Sequence, residues 1–520
     1  MGLSGAAFVT WQLPSMFWIL VLGVFVFFLG LYDLAQSKHA IRRNFPVAGR
    51  FRYILEKIRP EIHQYFVESN SSGRPFTREQ RSLVYQRAKS VTDTLAFGTE
   101  KDIYAVGYEW MNHSLLAKHP PHDLPRVRVG GPDCKQPYDA SLLNVSAMSY
   151  GSLSRNAIEA LNRGANLGGF AHNTGEGGLS PYHLFGGGDL IWQIGTGYFS
   201  CRTLDGGFDE NLFRENAARP EVKMIEIKLS QGAKPGHGGI LPAKKVSPEI
   251  AKIRNVPVGK DVVSPPTHSA FTTPLEMCAF IGKLRELSLG KPIGIKLCIG
   301  KRREFFAICK AILQSGIAPD FITVDGGEGG TGAAPVEFSN VLGTPLTDAL
   351  IFVHNALVGA GLRDRIRIIA SGRVVTAFDV AHKLAIGADL CNSARAMMFA
   401  LGCIQAQKCN TNDCPTGVAT QHPDLVEGLV VSDKATRVAN FHRNTLRAFL
   451  DLIAAAGLNH PHELRPWHIL RRTNPTEAKH YGEMYSYVSP GALMGTDLPA
   501  EYARSWEAAR AETFESANRS

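Results

Sequence analysis

From about residue 126 the chain alternates short β-rich runs with amphipathic helical ones, and few folds accept so many repeats of one unit. The strand-like runs are 143–149, 169–173, 224–230, 261–264, 293–299, 321–324, 366–371 and 390–393, with helical stretches at 155–165, 274–287, 303–314, 347–360 and 377–386. Eight such runs predict an α/β chain folded as a (β/α)8 TIM barrel, with a doubly wound sheet as the runner-up. In such a barrel functional groups belong just after the strands, on the C-terminal face.

The motifs obey that rule. Ser149-Tyr-Gly-Ser-Leu-Ser154 follows the first run, Thr174-Gly-Glu-Gly-Gly178 the second, and Gln231-Gly-Ala-Lys-Pro-Gly-His-Gly-Gly239 the third. Asp325-Gly-Gly-Glu-Gly-Gly-Thr-Gly-Ala-Ala-Pro335, Gly372-Arg373 and Ser393-Ala-Arg395 follow later ones. Glycine at a strand end lets backbone N–H groups close on an anionic ligand. One loop of this kind is only a turn, but six on one face ask for a ligand. The last two occupy the positions where barrels most often hold a phosphate, so Gly372, Arg373, Ser393, Ala394 and Arg395 are the expected phosphate residues. Ordinary turns carrying exposed arginines are the alternative.

Three of the nine cysteines crowd one loop as Cys403-x5-Cys409-x4-Cys414, with Pro415 next. A soft thiolate group on a short loop suits an iron–sulfur cluster, or zinc with His422 as fourth ligand. Three packed, buried thiols are the other reading, although the polar neighbours Gln405, Gln407, Lys408, Asn410, Asn412 and Asp413 speak against it. No evenly spaced cysteine framework exists, which places the main body in a reducing compartment.

Trp11 to Tyr32 contains no charged residue, and 16–31 is almost wholly apolar, long enough for a spanning helix of ~20 residues. Trp11, Trp18 and Tyr32 lie toward its ends, and the basic n-region and small-residue cleavage site of a signal peptide are missing. A buried core helix is the alternative. His39, Arg42, Arg43, Arg50, Arg52, Lys57 and Arg59 follow the segment and account for much of the net charge of +9. This basic flank places everything beyond residue 38 on the cytoplasmic side of the cell inner membrane, as a single-pass protein. No nucleic-acid reader motif accompanies the charge. The expected organisation is an anchor at 1–37, a helical and irregular extension at 38–125, the barrel at 126–430, and a helical extension at 431–520 whose last stretch, 501–515, reads as an exposed helix.

These motifs together resemble those of the FMN-binding synthase domain of glutamate synthase, from Ser146 to Gln421. Ser146-Ala-Met-Ser-Tyr-Gly-Ser-Leu-Ser154, the Thr174, Gln231 and Asp325 loops, Pro265-Pro266 and the cysteine loop with Gly417-Val-Ala-Thr-Gln421 carry the likeness. The resemblance implies FMN as cofactor and a [3Fe–4S] cluster on Cys403, Cys409 and Cys414, without zinc or His422. It implies reduction, by hydride from FMN, of the imine formed from ammonia and a 2-oxo acid. It assigns cofactor contacts to Ser149, Gly151, Lys296, Gly326, Gly327 and the phosphate residues, and substrate contacts to Met148, Lys234, Gly238 and Gly239. Lys234 matches the lysine that pairs with the oxo acid, Lys296 brings a cation to the flavin's pyrimidine edge, and Glu176 moves a proton, polarises the imine or braces its loop. His237 and His268 lie nearby by motif or are satisfied by backbone; Cys298 packs; Asp325 orients Thr331 and backbone amides.

Where the family loop continues Gly-Gly-Gln-Leu-Pro, this chain has Ile240, and losing an amide donor to a carboxylate costs ~1.5–3 kcal/mol if nothing replaces it. The chain resembles a shorter, membrane-anchored branch without the glutaminase and β-helical domains, so it should not hydrolyse glutamine by itself. No Gly-x-Gly-x-x-Gly on a βαβ unit is evident, so electrons should come from an external donor: a ferredoxin, a reductase subunit or a membrane quinone. The competing functions are a flavin oxidoreductase for a different small acid and a non-catalytic electron-transfer subunit.

Overall fold

The computed structural model describes residues 17–515; Trp11 and Met16 of the expected anchor lie outside the described residues. The chain divides into two units at Arg78. In the first, helix Phe17–Ala35 has a mean hydropathy of 2.3 over a window only 6% buried, so by length and composition it can cross a membrane. Its one carboxylate, Asp33, is fully buried: it accepts the Val47 N–H at 3.0 Å and two Arg50 N–H bonds at 2.8 and 2.7 Å. The basic flank thus neutralises the charge at the end of the apolar helix.

The second unit holds a closed barrel of eight parallel strands. They are β1 Leu143–Val145, β2 His172–Asn173, β3 Leu190–Ile194, β4 Val222–Lys228, β5 Ile293–Leu297, β6 Phe321–Asp325, β7 Arg367–Ser371 and β8 Leu390–Ser393. Seven of the eight predicted runs supply barrel strands. The eighth, 261–264, does not: Val262–Val263 pairs antiparallel with Ile240–Leu241 in a ribbon on the loop after β4. The missed strand is β3, Leu-Ile-Trp-Gln-Ile, all of it buried. Its polar Gln193 points into the barrel and donates to Glu226 at 2.6 Å, so its polarity belongs to the interior rather than to a loop.

Local chemistry fixes the helices. Ser154 caps α1, Arg155–Gly168, by accepting the Ala157 N–H, and Gly169 ends it at φ +66°. Thr273 and Glu276 form a capping box around Pro274 at the start of α2, Pro274–Leu287. Then come α3, Arg302–Ser315; α4, Leu346–Gly359; α5, Ala377–Ala385; and α6, Val431–Ala455. Helix α6 lies against α1 so closely that a Cβ on Gly164 would stand 2.7 Å from Val438.

The lower end of the barrel is plugged. The hairpin of Arg126–Val129 and Tyr138–Ser141 inserts Val129, Tyr138 and Ala140 against Ala171, Ile191, Met224, Phe321, Ile369 and Leu390. Above this apolar layer Glu226 is wholly buried, accepting from Asn173 and Gln193 on one oxygen and from Thr323 on the other. Access to the barrel interior is therefore left to the C-terminal mouth.

The terminal helix runs Ala500–Ala508, shorter than expected and only partly exposed: Tyr502 and Trp506 are buried against Phe306, with ring centroids 6.0 and 5.3 Å apart. Both extensions also contribute strands, Glu109–Met111 pairing with Ile469–Asn474 and that with Glu477–His480.

Candidate functional site

The mouth has two halves. Over β2 to β4, Glu176 forms an ion pair with Lys228 at 2.7 Å, both largely buried. Burial works to raise the Glu176 pKa, but Lys228, Lys234 and Arg254 together hold it below the usual carboxylate range. Lys234 is 2% exposed, and burial lowers its ammonium to about 8 despite Glu176. Arg254, on helix Pro248–Arg254, donates to the Tyr150 carbonyl at 3.0 Å and is lowered by burial to about 10.

Arg254 and Lys228 were not singled out by the sequence, yet the glycines had encoded their space. A Cβ on Gly195 or Gly239 would stand 2.7 Å from a Glu176 oxygen, and one on Gly177 2.6 Å from Arg254 Nη2. Gly151 makes the same allowance at 3.3 Å. Gly238 lets the Ser264 carbonyl pass inside the reach of any Cβ. Several of the glycines predicted to approach a ligand thus first admit charged side chains. Met148 is buried between strands, its N–H on the Asn173 carbonyl, and Ser149 donates to Ser152 at 3.0 Å. His268 is bound by Tyr198 and by the Lys228 carbonyl, and burial lowers it to about 4, so it is a neutral brace. His237 contacts its neighbour's carbonyl and the Phe338 ring, and Ile240 is half-buried in the ribbon beside it.

Over β5 to β8, Asp325 is the hub. It accepts the Gly232 N–H at 2.8 Å and the Ser371 hydroxyl at 2.7 Å, and pairs with Lys296 at 3.6 Å. Its partners thus include a backbone amide and two side chains from neighbouring strands: they are Gly232, Ser371 and Lys296 rather than Thr331. The Gly326 and Gly327 N–H groups are engaged by the Ser371 and Thr344 carbonyls, so this loop offers a ligand close approach rather than amide donors. Cationic donors lie one strand further. Arg373 sits at φ +48° after Gly372, and Arg395 opens helix Arg395–Leu401, donating to the Glu328 carbonyl at 2.9 Å. Burial and then the like charge of Arg373 lower Arg395 to about 10, against the pull of Asp325 and Glu328. Two guanidinium groups held this near each other suit a phosphate between them. The Ser393 hydroxyl is turned into the Val374 carbonyl at 2.6 Å, and Ala394 is the cap residue of that helix. Cys298 is buried, its thiol raised by burial to about 12.

The cysteine loop is pinned beside the mouth. Tyr85 donates to the Cys403 carbonyl at 2.6 Å, and Gln421 to the Gly151 and Leu153 carbonyls at 3.1 and 2.9 Å. Lys245, 4% exposed, donates to the carbonyls of Cys409, Ala419 and Ser152. Among the described residues no group of three His, Cys, Asp or Glu is set around one metal ion. A cluster, however, takes each thiolate on a separate iron, and Cys403, Cys409 and Cys414 are near enough to raise one another's pKa. Burial takes Cys403 to about 12, so a thiolate there calls for a bound cation. The donor set and the buried ammonium beside it fit an anionic cluster. His422 is exposed, 3.8 Å from Asp413.

The profile of the conserved region in glutamate synthase matches residues 135–459. The chain is 39% identical to the glutamate synthase large subunit-like protein YerD of Bacillus subtilis, over 86% of its own length and 93% of that protein's. It is 36% identical to the archaeal glutamate synthase (NADPH) of Methanocaldococcus jannaschii, over 62% of its own length and 60% of the relative's. Among solved structures, a flavocytochrome b2 mutant with benzoylformate aligns at 14% identity and a TM-score of 0.42, covering 84% of this chain and 90% of that one.

Proposed function

This chain belongs to the glutamate synthase family and is an oxidoreductase, and we propose that it reductively aminates a 2-oxo acid, 2-oxoglutarate to glutamate, with free ammonia. One observation carries the reading: Lys228, Lys234 and Arg254 share a single carboxylate, Glu176, inside one buried half of the mouth. That surplus of positive charge is complementary to a dicarboxylate. FMN, when bound, supplies hydride to the imine, and a [3Fe–4S] cluster supplies single electrons.

The chain's own residues do the rest. Lys234 and Arg254 hold the carboxylates, and Glu176, kept ionised by Lys228, accepts and returns the proton of the nitrogen. Arg373 and Arg395 hold the FMN phosphate, and Lys296, steadied by Asp325, presents a cation to the isoalloxazine. Cys403, Cys409 and Cys414 hold the cluster, with Lys245 as positive charge beside it. Helix Phe17–Ala35 anchors the chain, and an external ferredoxin, reductase subunit or quinone delivers electrons. Purified full-length protein is expected to show flavin absorbance and bound iron and to fractionate with membranes. A protein purified without flavin or iron would overturn the cofactor assignment.

The half-buried Ile240 favours a second reading, a different small oxo acid with a less polar tail. A screen on the reduced, flavin-loaded protein decides between them: turnover with 2-oxoglutarate supports the first, and turnover only with another acid supports the second.

A further inference from the structure

We infer that the plugged end of the barrel carries a second site, for a nucleoside di- or triphosphate. A cavity of about 750 Å³ opens between the hairpin that closes the barrel, the first residue of β7 and the chain segment after His460. This falls within the usual ~300–1,000 Å³ of small-molecule sites.

Its charge is one-sided. Arg126, Arg128, Arg363, Arg367 and Arg465 line it against one carboxylate, Asp389. Asp389 is already engaged, by Arg363 at 2.9 Å and by the Ile368 N–H at 2.6 Å. Arg126 donates to the Asp139 and Gly169 carbonyls, Arg367 to the Arg128 carbonyl, and Arg465 to the His462 and Leu464 carbonyls. A carbonyl satisfies an N–H but does not balance the charge. Arg128 reaches Asp139 only at 3.9 Å and at the surface. Among the described residues Arg126, Arg367 and Arg465 have no carboxylate partner and Arg128 only a long, exposed one, and such a group around one cavity calls for a multiply charged anion; planar guanidinium forks favour phosphate.

The remaining wall is not polar. Leu142 and Ile386 are buried in it, and Trp467, 56% exposed, stands two residues from Arg465. An open indole beside a guanidinium is a platform for a planar ring. Inorganic phosphate would leave that wall bare, whereas a nucleoside phosphate covers the wall and meets the arginines together.

The test uses full-length, flavin-loaded protein, so that the phosphate subsite at the mouth is filled, and equilibrium dialysis against ATP, ADP, pyrophosphate, inorganic phosphate and adenosine. ATP and ADP are expected to bind, pyrophosphate about tenfold more weakly, and phosphate and adenosine not detectably at the same concentrations. Trp467→Ala should weaken ATP about tenfold and leave pyrophosphate unchanged. Arg128→Ala, at an exposed position that does not threaten the fold, should weaken both by about tenfold. Failure of every phosphate to bind, or ATP binding indifferent to both substitutions, would overturn the site. Pyrophosphate binding as tightly as ATP, with no response to Trp467→Ala, would overturn the nucleoside assignment.

Discussion

The two halves of the barrel mouth handle charge in opposite ways. Over β5 to β8, Asp325 is gripped by Lys296, Ser371 and the Gly232 amide, so one acid and one base balance within a strand-to-strand network. Over β2 to β4, three cations converge on Glu176 alone. A balanced network is stable when empty, whereas a surplus of buried like charge is costly until an anion arrives. The Lys296–Asp325 network is built as a platform, with the unbalanced charge of its half confined to Arg373 and Arg395, whereas the buried centre of the second half is itself completed by its ligand.

Substitutions in each half should therefore fail differently. The largest effect belongs to Lys234→Ala, which should lower kcat/KM in anaerobic turnover by ~10²–10⁴ while flavin content stays constant. If flavin were lost in parallel, the two halves would not be separable. Arg254→Ala should raise the KM for the oxo acid by ~10–100-fold with a smaller change in kcat, because it removes a charged contact worth ~1.5–3 kcal/mol. Asp325→Asn, in the other half, should weaken flavin retention by ~10-fold on dialysis and leave KM unchanged in the fraction still loaded, since a neutral amide no longer balances Lys296. The smallest effect is on pH. Lys234 is cationic below its depressed pKa of about 8, so kcat/KM should fall as pH rises through that value. Glu176, held below the carboxylate range, should add no limb near neutrality, and Lys234→Arg should move the upper limb to higher pH.

What the sequence revealed follows the same division. The alternation of runs was enough for the barrel because strands such as β5 and β6 are wholly buried and dominated by Ile, Leu, Val and Phe, with Lys296, Thr323 and Asp325 too few to mask the pattern. It failed at β3, where Gln193 is polar for the sake of buried Glu226, and at 261–264, where two valines mimic a strand that only edges a ribbon. Lys234 and the cysteines were legible because each sits in a motif. Arg254 was not, since it enters from a helix remote from the strand ends and the glycines shaped around it, Gly151 and Gly177, read as loops that approach a ligand. Tyr85 escaped for the same reason, reaching the Cys403 carbonyl from a segment with no motif. Side chains that arrive from outside the repeat leave no periodic trace.

The most direct test of the account is anaerobic reoxidation of the chemically reduced, flavin-loaded protein, followed by flavin absorbance with glutamate assayed at the end. The account predicts that the oxidised spectrum returns only when 2-oxoglutarate and ammonium are both present, with stoichiometric glutamate. A flavin that stays reduced with both, or that reoxidises without forming an amino acid, would contradict it.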